Sequence, residues 1–290
     1  MGVYAVTGSA SGMGHMVAQK LREAGHTVIG VDIKQADIVA DLSTAEGRRA
    51  ATDGVLALSQ AGLDGAVLAA GLGPGPAVDR SRLIAQVNYF GVVDLLNTWR
   101  PALASATRAK VVVFSSNSTT TTPAVPARTV RAFLAGDADR AVRSVRIFGT
   151  NASTILYAAS KIAVSHWVRR EAVKPEWAGA GVRLNALAPG AIMTPLLEEQ
   201  LSIPKQAKAI RAFPIPVDGF GDAGQLADWA LFMLSDAAEF LCGSIVFVDG
   251  GSDAYFRADD WPRTVPNRRM LSYLKRFRDF SASRPSVAPS

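Results

Sequence analysis

Six short apolar segments recur along the chain, and most are followed by a longer stretch with the amphipathic character of a helix. The segments are rich in Val, Ile, Leu and Ala without polar alternation, which is typical of strands buried on both faces of a sheet. Because strand–helix alternation favours right-handed crossovers, we predict an α/β fold with a doubly wound parallel sheet in a single domain. The predicted strands are 3–8, 26–32, 65–71, 110–116, 182–190 and 243–251. The predicted helices are 12–24, 44–60, 80–104, 157–173 and 223–236.

Two segments fall outside this alternation. Residues 117–153 form a connection too long for a plain loop, and apolar residues at helical spacing within 128–147 predict one or two short helices there. We therefore predict a catalytic domain over 1–254 that contains this helical insert. Residues 255–290 form a basic C-terminal extension, whose end, SASRPSVAPS, is predicted to be disordered.

Composition and charge exclude several classes of function. A single cysteine and three scattered histidines permit no intramolecular disulfide and predict no metal site. No apolar run approaches the ~20 residues of a membrane-spanning helix, and no basic segment precedes the first strand, so we expect a cytoplasmic location. The net charge is +6, of which the extension carries +5 (eight Lys/Arg and three Asp) and the domain +1. We therefore predict no binding to nucleic acid.

Three glycines follow the first predicted strand and open a helix. Gly8, Gly12 and Gly14 have G-x-x-x-G-x-G spacing, which lets the backbone and a helix N-terminus approach a pyrophosphate. This is typical of a Rossmann-type dinucleotide site. Asp32 ends the second strand, where it can accept the ribose hydroxyls of NAD and repel a 2′-phosphate; a turn or cap is the alternative role. Lys34 is a nearby cation and slightly weakens this preference. The position of Asp32 still predicts NAD over NADP.

Tyr157 and Lys161 lie four residues apart in a predicted helix, TILYAASKIA. Such a pair also occurs in helices without catalytic function. A free tyrosine has a pKa of about 10 and is a poor base at neutral pH. An ammonium group one helical turn away favours the phenolate, so we expect Lys161 to lower the pKa of Tyr157.

Together these motifs resemble the short-chain dehydrogenase/reductase family over about residues 1–254. The resemblance rests on Thr7-Gly8-x-x-x-Gly12-x-Gly14, Asp32, Asp41-Leu42, Ala69-Ala70-Gly71, Asn88, Ser115-Ser116, Tyr157-x-x-x-Lys161 and Pro189-Gly190 with Thr194. The phrases VDIKQADIVADLSTAEGR, AAGLGPG with VNYFG, and GVRLNALAPGAIMTPLL resemble its bacterial 3α-hydroxysteroid dehydrogenase/carbonyl reductase branch. That branch shares the long separation between Ser116 and Tyr157.

The resemblance implies a role for each matching residue. Tyr157 is implied to be the general acid/base, with Lys161 holding the nicotinamide ribose, Ser116 bonding the substrate oxygen and Asn88 holding a proton-relay water. Ser115 and Ser118 are alternatives to Ser116, and Asn88 is alternatively a helix-kink residue. The implied cofactor-binding residues are Gly8, Ser11, Gly12, Met13, Asp32, Asp41, Leu42, Ala70, Gly71, Tyr157, Lys161, Pro189, Gly190, Ile192 and Thr194.

The sequence thus predicts an NAD-dependent oxidoreductase that interconverts a hydrophobic secondary alcohol and ketone, with a 3-hydroxy/3-keto steroid as one candidate. An apolar segment at 191–216 resembles the family's substrate flap. A broad carbonyl reductase for small xenobiotic ketones and a non-catalytic NAD-binding regulator are the alternatives.

Two expectations concern partners. The insert is expected to obstruct tetramer packing at 80–104 and 157–173, which favours a homodimer over a tetramer; a surface excursion without effect on assembly is the alternative. Apolar residues at helical spacing in the extension (Met270, Tyr273, Leu274 and Phe277) predict a basic amphipathic helix. We expect it to contact a subunit or the active site, ahead of remaining disordered or contacting a membrane.

Overall fold

Seven parallel strands form one sheet at the centre of the protein. The computed structural model describes residues 1–77, 79–262 and 264–283, without the side chains of Leu196, Lys205, Gln206, Ala209, Phe277 and 281–283. The strands are β1 (Val3–Thr7), β2 (Thr27–Asp32), β3 (Ile38–Val39), β4 (Gly65–Leu68), β5 (Lys110–Phe114), β6 (Arg183–Pro189), β7 (Ile192–Met193), β8 (Gly221–Asp222) and β9 (Ile245–Val248). The sheet order is β3-β2-β1-β4-β5-β6-β9, and β7 pairs with β8 alone. The predicted fold class is confirmed.

Helices cover both faces of the sheet. The α-helices are α1 (Gly12–Glu23), α2 (Ala45–Leu58), α3 (Arg80–Ala85), α4 (Gly91–Ala104), α5 (Ser118–Thr121), α6 (Ala127–Leu134), α7 (Ala138–Val145), α8 (Ala152–Glu171), α9 (Pro195–Ser202), α10 (Pro204–Arg211), α11 (Ala223–Leu234), α12 (Ser252–Arg257) and α13 (Met270–Ser283). Shorter helical turns are Gln86–Phe90, Arg146–Asn151, Pro175–Gly179, Asp236–Ala238 and Asn267–Arg269.

Successive residues of each central strand enter different apolar cores. Val111 and Val113 belong to the core beneath α2, α4 and α8, whereas Val112 belongs to the core beneath α1 and α11. This division explains the unbroken apolar runs in the sequence, because side chains alternate between the two faces and both faces are buried.

The structure corrects several predicted boundaries. The two-residue strand β3 was missed because so short a segment has no periodicity to detect. The strands predicted at 65–71 and 110–116 end at Leu68 and Phe114, where the chain leaves the sheet to form loops. Helix α8 begins at Ala152, five residues before the predicted start, because the turn Arg146–Asn151 runs directly into it.

The chain divides into two compact units, one ending at Phe256 and one beginning at Arg257. In the second unit, α13 continues through Ser283 and so includes the first three residues of the segment predicted to be disordered. Ser281–Ser283 contain no helix breaker, whereas Pro285 disfavours a helical residue before it. The predicted disorder of residues 284–290 lies outside the described residues.

The insert is helical and packs against the domain. Helices α6 and α7 contact each other and α8, which confirms helices in the insert. Phe133 of α6 is fully buried, and its ring centroid lies 5.2 Å from that of Tyr89 and 6.5 Å from that of Phe90. One aromatic side chain therefore anchors the insert to the helical layer between β4 and β5.

Replacing Phe133→Ala should lower the free energy of unfolding by about 3–5 kcal/mol, because it leaves a cavity that the surrounding side chains fill only in part. Denaturant titration followed by circular dichroism measures the change. Phe240→Ala is the matched control, because Phe240 is fully exposed and should change the value by less than about 0.5 kcal/mol. Equal stability of the two variants would contradict this role of Phe133.

Candidate active site

A cavity of about 540 Å³ opens at the carboxyl ends of β1, β2 and β4. It lies where the strand order reverses, since the chain proceeds from β1 to β2 on one side and returns to β4 on the other. Ligands of doubly wound sheets bind at this position. The lining is Gly8, Ser11, Gly12, Met13, Gly14, Val31, Asp32, Ile33, Lys34, Ala40, Asp41, Leu42, Ser43, Ala69, Ala70, Gly71, Leu72, Arg80, Leu83, Val87, Thr194 and Pro195.

The turn between β1 and α1 requires glycine at two positions. A Cβ atom on Gly14 would lie 2.3 Å from the carbonyl oxygen of Gly8, a separation that no side chain tolerates. Gly12 has a φ of +57°, in the left-handed region that favours glycine. The N-terminus of α1 therefore opens on the cavity with its backbone N–H groups uncovered by side chains.

Asp32 stands at the end of β2 and lines the cavity. One carboxylate oxygen accepts a hydrogen bond from the backbone N–H of Ala10 at 3.0 Å, and the other accepts one from the backbone N–H of Lys34 at 3.1 Å. Each oxygen keeps a free lone pair for a ligand. The same side chain thus caps the glycine turn and lines the cavity. The turn role is present, and the ribose-binding role stays a prediction.

The remaining walls come from loops after β3 and β4. Asp41 and Leu42 line one side and Ala70 and Gly71 the other. The backbone N–H of Ala70 donates to the hydroxyl of Thr7 at 3.1 Å. This side-chain bond continues the pairing of β1 with β4 beyond the last strand residues.

Lys161 lies on α8, and its side chain is buried against the end of β5. Its Nζ donates to the backbone carbonyl of Phe114 at 2.7 Å, and burial lowers its pKa to about 8. A Cβ atom added to Gly71 would lie 3.8 Å from this Nζ. The amine therefore stands beside the loop that lines the cavity.

Ser116, rather than Ser115, approaches Tyr157. The Ser115 hydroxyl is buried 2.7 Å from that of Ser165, beneath α8, and so has a structural role. The Ser116 side chain forms a hydrogen bond with Tyr157 and accepts another from the backbone N–H of Ser118 at 3.1 Å. Backbone hydrogen bonds from Ser115 to Leu187 and from Asn117 to Pro189 continue the pairing with β6 beyond the end of β5. Consecutive side chains of this extended segment point in opposite directions, so only one serine reaches this side.

The pKa of Tyr157 differs from the expectation. Burial raises it, and the hydrogen bond from Ser116 lowers it by less, so the net shift is upward. The predicted lowering by Lys161 was therefore wrong for this structure. Lys161 instead directs its amine to the Phe114 carbonyl.

Asn88 lies fully buried in the π-helical turn Gln86–Phe90, between α3 and α4. Its Oδ1 accepts from the backbone N–H of Leu72 at 2.8 Å, and its Nδ2 donates to the carbonyl of Leu72 at 3.0 Å. A Cβ atom on Gly71 would lie 3.5 Å from Oδ1. The amide thus fixes the loop beside Lys161 from within a distorted helix.

Four further predicted residues lie at or after the end of β6. A Cβ atom on Gly190 would lie 2.7 Å from the Cα of Asp249, so glycine is required there. Thr194 caps α9 and lies beside Gly12 in the cavity wall, where a Cβ atom added to Gly12 would lie 3.6 Å from the threonine methyl group. Ile192 is instead buried in the core beneath α1 and α11. Of the predicted cofactor-binding residues, five lie outside the described lining, namely Tyr157, Lys161, Pro189, Gly190 and Ile192. The predicted catalytic residues Asn88 and Ser116 lie outside it as well.

Sequence reasoning missed several lining residues. Arg80 begins α3, and its Nε donates to the carbonyl of Gly73 at 2.7 Å. Leu83 and Val87 follow on the same helical run. For Arg80, the signal in the sequence is a basic residue at the start of a helix, just after the glycine- and proline-rich loop 71–76. That pattern is too common to indicate a binding site.

Comparisons with known proteins support the same family. The chain is 37% identical over 257 residues to 3-alpha-hydroxysteroid dehydrogenase/carbonyl reductase of Comamonas testosteroni, covering 89% of this chain and 98% of that protein. It is 30% identical to 3beta-hydroxysteroid dehydrogenase 1 of Eggerthella lenta, with 86% and 93% covered. The family model described as enoyl-(acyl carrier protein) reductase matches residues 141–253.

A solved structure is also similar. The crystal structure of the 3-alpha-hydroxysteroid dehydrogenase from Pseudomonas sp. B-0831 complexed with NADH superposes with a TM-score of 0.82. The two chains are 42% identical, and the match covers 89% of this chain and 99% of the other. The chain therefore belongs to the short-chain dehydrogenase/reductase family, and it is an oxidoreductase acting on an alcohol or ketone.

The buried Lys161 should make stability depend on pH. Its pKa falls from 10.5 when exposed to about 8 when folded, so the unfolded chain binds more protons between these values and folding is favoured as pH rises. Relative to Lys161→Met, the wild type should gain about 2 kcal/mol in unfolding free energy between pH 7 and pH 9.5.

Denaturant titrations at several pH values measure this difference. Lys174→Met is the control, because Lys174 is exposed, and its curve should run parallel to the wild type. A Lys161→Met curve that is also parallel would contradict the lowered pKa.

Proposed function

We propose that the protein is an NAD-dependent oxidoreductase interconverting a hydrophobic secondary alcohol and its ketone. The observation that carries the proposal is the hydrogen-bonded pair of Ser116 and Tyr157 beside Lys161, next to a cavity with a glycine turn. A 3-hydroxy/3-keto steroid is the proposed substrate class, since similar proteins are named for that activity.

The described residues fit a nicotinamide dinucleotide. The glycine turn and the N-terminus of α1 offer uncovered N–H groups and a positive dipole for a pyrophosphate. The carboxylate of Asp32 has free lone pairs for ribose hydroxyls and would repel a phosphate at the 2′ position. Lys34 is on the same lining but is exposed. We therefore favour NAD over NADP.

When bound, the nicotinamide supplies or accepts the hydride, and the protein handles the proton. In ketone reduction, negative charge develops on the substrate oxygen. Tyr157, kept protonated by its raised pKa, donates its phenolic proton to that oxygen, while Ser116 stabilises the charge by hydrogen bonding. In oxidation the same groups act in reverse.

Lys161 and Asn88 have supporting roles in this proposal. In this proposal the buried ammonium of Lys161, beside Gly71, holds the nicotinamide ribose and restores the proton of Tyr157. Asn88 holds the loop at Leu72 through both Oδ1 and Nδ2 of its side-chain amide. Each of these atoms makes one backbone hydrogen bond, so a water relay through Asn88 would use the remaining lone pair of Oδ1, the second N–H of Nδ2 or the backbone oxygen of Leu72.

The segment 191–216 supports an apolar substrate. It forms α9 and α10, and Met193 and Ile203 are exposed there. The side chain of Leu196, which belongs to the same segment, lies outside the described residues. Exposed apolar side chains on a segment that follows Thr194 of the cavity suit a steroid, terpenoid or aromatic ketone better than a sugar.

Replacing Tyr157→Phe should reduce ketone turnover by about a hundred- to ten-thousand-fold, because it removes the transferred proton. NADH binding, followed by fluorescence titration, should persist. Tyr255→Phe is the control, because Tyr255 is exposed, and it should behave as wild type. Tight NADH binding with no turnover in the wild type on any ketone tested would instead support a non-catalytic regulator. A broad carbonyl reductase would turn over small aromatic ketones as readily as 3-ketosteroids.

Asp32→Asn should shift cofactor preference towards NADPH. The ratio of kcat/KM for NADH to that for NADPH should fall about tenfold or more, because a charged hydrogen-bond acceptor is lost. Asp53→Asn, at an exposed position on α2, should leave the ratio unchanged. An unchanged ratio in Asp32→Asn would refute the role of the carboxylate.

We further propose a homodimer. The insert lies on α3 and α8, where a partner would pack in a tetramer. A different apolar surface stays uncovered, because α11 exposes Trp229 and Phe232 and all four residues of the edge strand β9 are half-buried.

Analytical ultracentrifugation should give twice the 30.6 kDa mass of one chain. Trp229→Glu should give the single-chain mass, because it places a charge in the apolar surface. Leu58→Glu, at an exposed residue of α2, should remain dimeric. A compact tetramer would sink the proposal and would favour an insert with no effect on assembly.

A further inference from the structure

The second unit carries a helix with one apolar face. Helix α13 places Met270, Tyr273 and Leu274 at the spacing i, i+3, i+4, so they share one side. These side chains are 47%, 49% and 55% exposed. Phe277 has the spacing to extend this face, but its side chain lies outside the described residues. A face of this kind on a surface helix needs an apolar partner.

Basic residues border the apolar face on both edges. At about 100° per residue, Arg276 and Arg278 fall on opposite sides of the line through Met270 and Leu274. Arg268 and Arg269 precede the helix in the turn Asn267–Arg269. Asp279 is the one acidic residue in the sequence of the helix and falls on the far side. Arginine on both borders of an apolar face is the arrangement of helices that lie in a membrane interface.

We propose that α13 docks the enzyme on an anionic lipid surface, with the face of Met270, Tyr273 and Leu274 buried among the lipids. Within the described residues, no helix is long and apolar enough to cross a membrane, so the helix would lie along the surface. The extension carries +5, whereas residues 1–254 carry +1. A second copy of this chain therefore offers no acidic excess to complement it, whereas an anionic bilayer does.

The size of the extension supports a function separate from the chemistry that this chain shares with its relatives. The match to the Comamonas testosteroni relative takes in 98% of that protein but leaves about a tenth of this chain outside. Residues 257–290 make up a comparable share. The proposal does not depend on the proposed function, since lipid binding is measured without substrate or cofactor.

Co-sedimentation of the full-length protein with vesicles tests the proposal. Vesicles of phosphatidylcholine alone are compared with vesicles containing about one-third phosphatidylserine, at about 0.15 M and about 1 M salt. Wild type should bind the anionic vesicles at low salt and be released at high salt. Arg276→Gln with Arg278→Gln should weaken binding about 30-fold, at about fivefold for each charge lost.

Matched controls separate lipid contact from charge alone. Arg49→Gln with Arg108→Gln removes the same charge from exposed sites on the domain and should bind as wild type. Leu274→Ser should weaken binding, whereas Leu58→Ser on α2 should not. Thermal unfolding checks that every variant is folded.

Three outcomes would overturn the proposal. They are equal binding of wild type to both vesicle types, no binding to either, and equal loss in the two arginine pairs. A change of mass in ultracentrifugation caused by Arg276→Gln with Arg278→Gln, without a change in lipid binding, would assign the helix to a subunit contact instead.

Discussion

The contact between α8 and the end of β5 determines the rest of the site. Lys161 donates to the carbonyl of Phe114, and Ser115 meets Ser165 beneath the same helix. Burying an amine is unfavourable unless it is hydrogen-bonded, so this contact fixes both the rotation and the height of α8. Tyr157 lies one turn earlier on the helix, and Ser116 lies two residues after Phe114. This one junction therefore places the phenol of Tyr157 near the hydroxyl of Ser116.

The parallel sheet supplies the second constraint. All seven strands end at the same edge, so loops that are distant in sequence meet there. The glycine turn, Asp32 and the loop from Ala70 to Leu72 form one cavity because β1 lies between β2 and β4. The insert leaves the sheet after Ser116 and returns at the start of α8. Its ends are therefore held by the site, while its own core, centred on Phe133, packs on the helical layer away from the cavity.

The sequence predicted those parts of the fold that depend on local pattern. Unbroken apolar runs identified six of the seven strands in the sheet, and the glycine spacing located the turn before α1. Alternation of side chains along an extended segment predicted that only one of Ser115 and Ser116 faces the cofactor, and the family resemblance favoured Ser116. Prediction failed where an adjoining irregular turn or the packing of a helix decides the outcome. The early start of α8 depends on the turn at Arg146–Asn151, and the cavity position of Arg80 depends on how α3 packs.

Electrostatics were predicted least well. The spacing of Tyr157 and Lys161 places a cation near the phenol, but it does not reveal that the amine turns to the Phe114 carbonyl or how deeply both groups are buried. Burial raises the pKa of Tyr157 and lowers that of Lys161. Both shifts favour the uncharged forms of the two groups, which is what desolvation does to any ionisable pair until a ligand supplies compensating charge or hydrogen bonds.

The central claim is that this site moves a hydride between a bound nicotinamide and a carbonyl carbon. The most direct test follows deuterium from C4 of labelled NADH into the product of a 3-ketosteroid, using mass spectrometry. The account predicts an alcohol that carries the label on its carbinol carbon, with label from only one face of the nicotinamide. Reduced product without the label, or bound NADH that is never oxidised by any ketone, would contradict it.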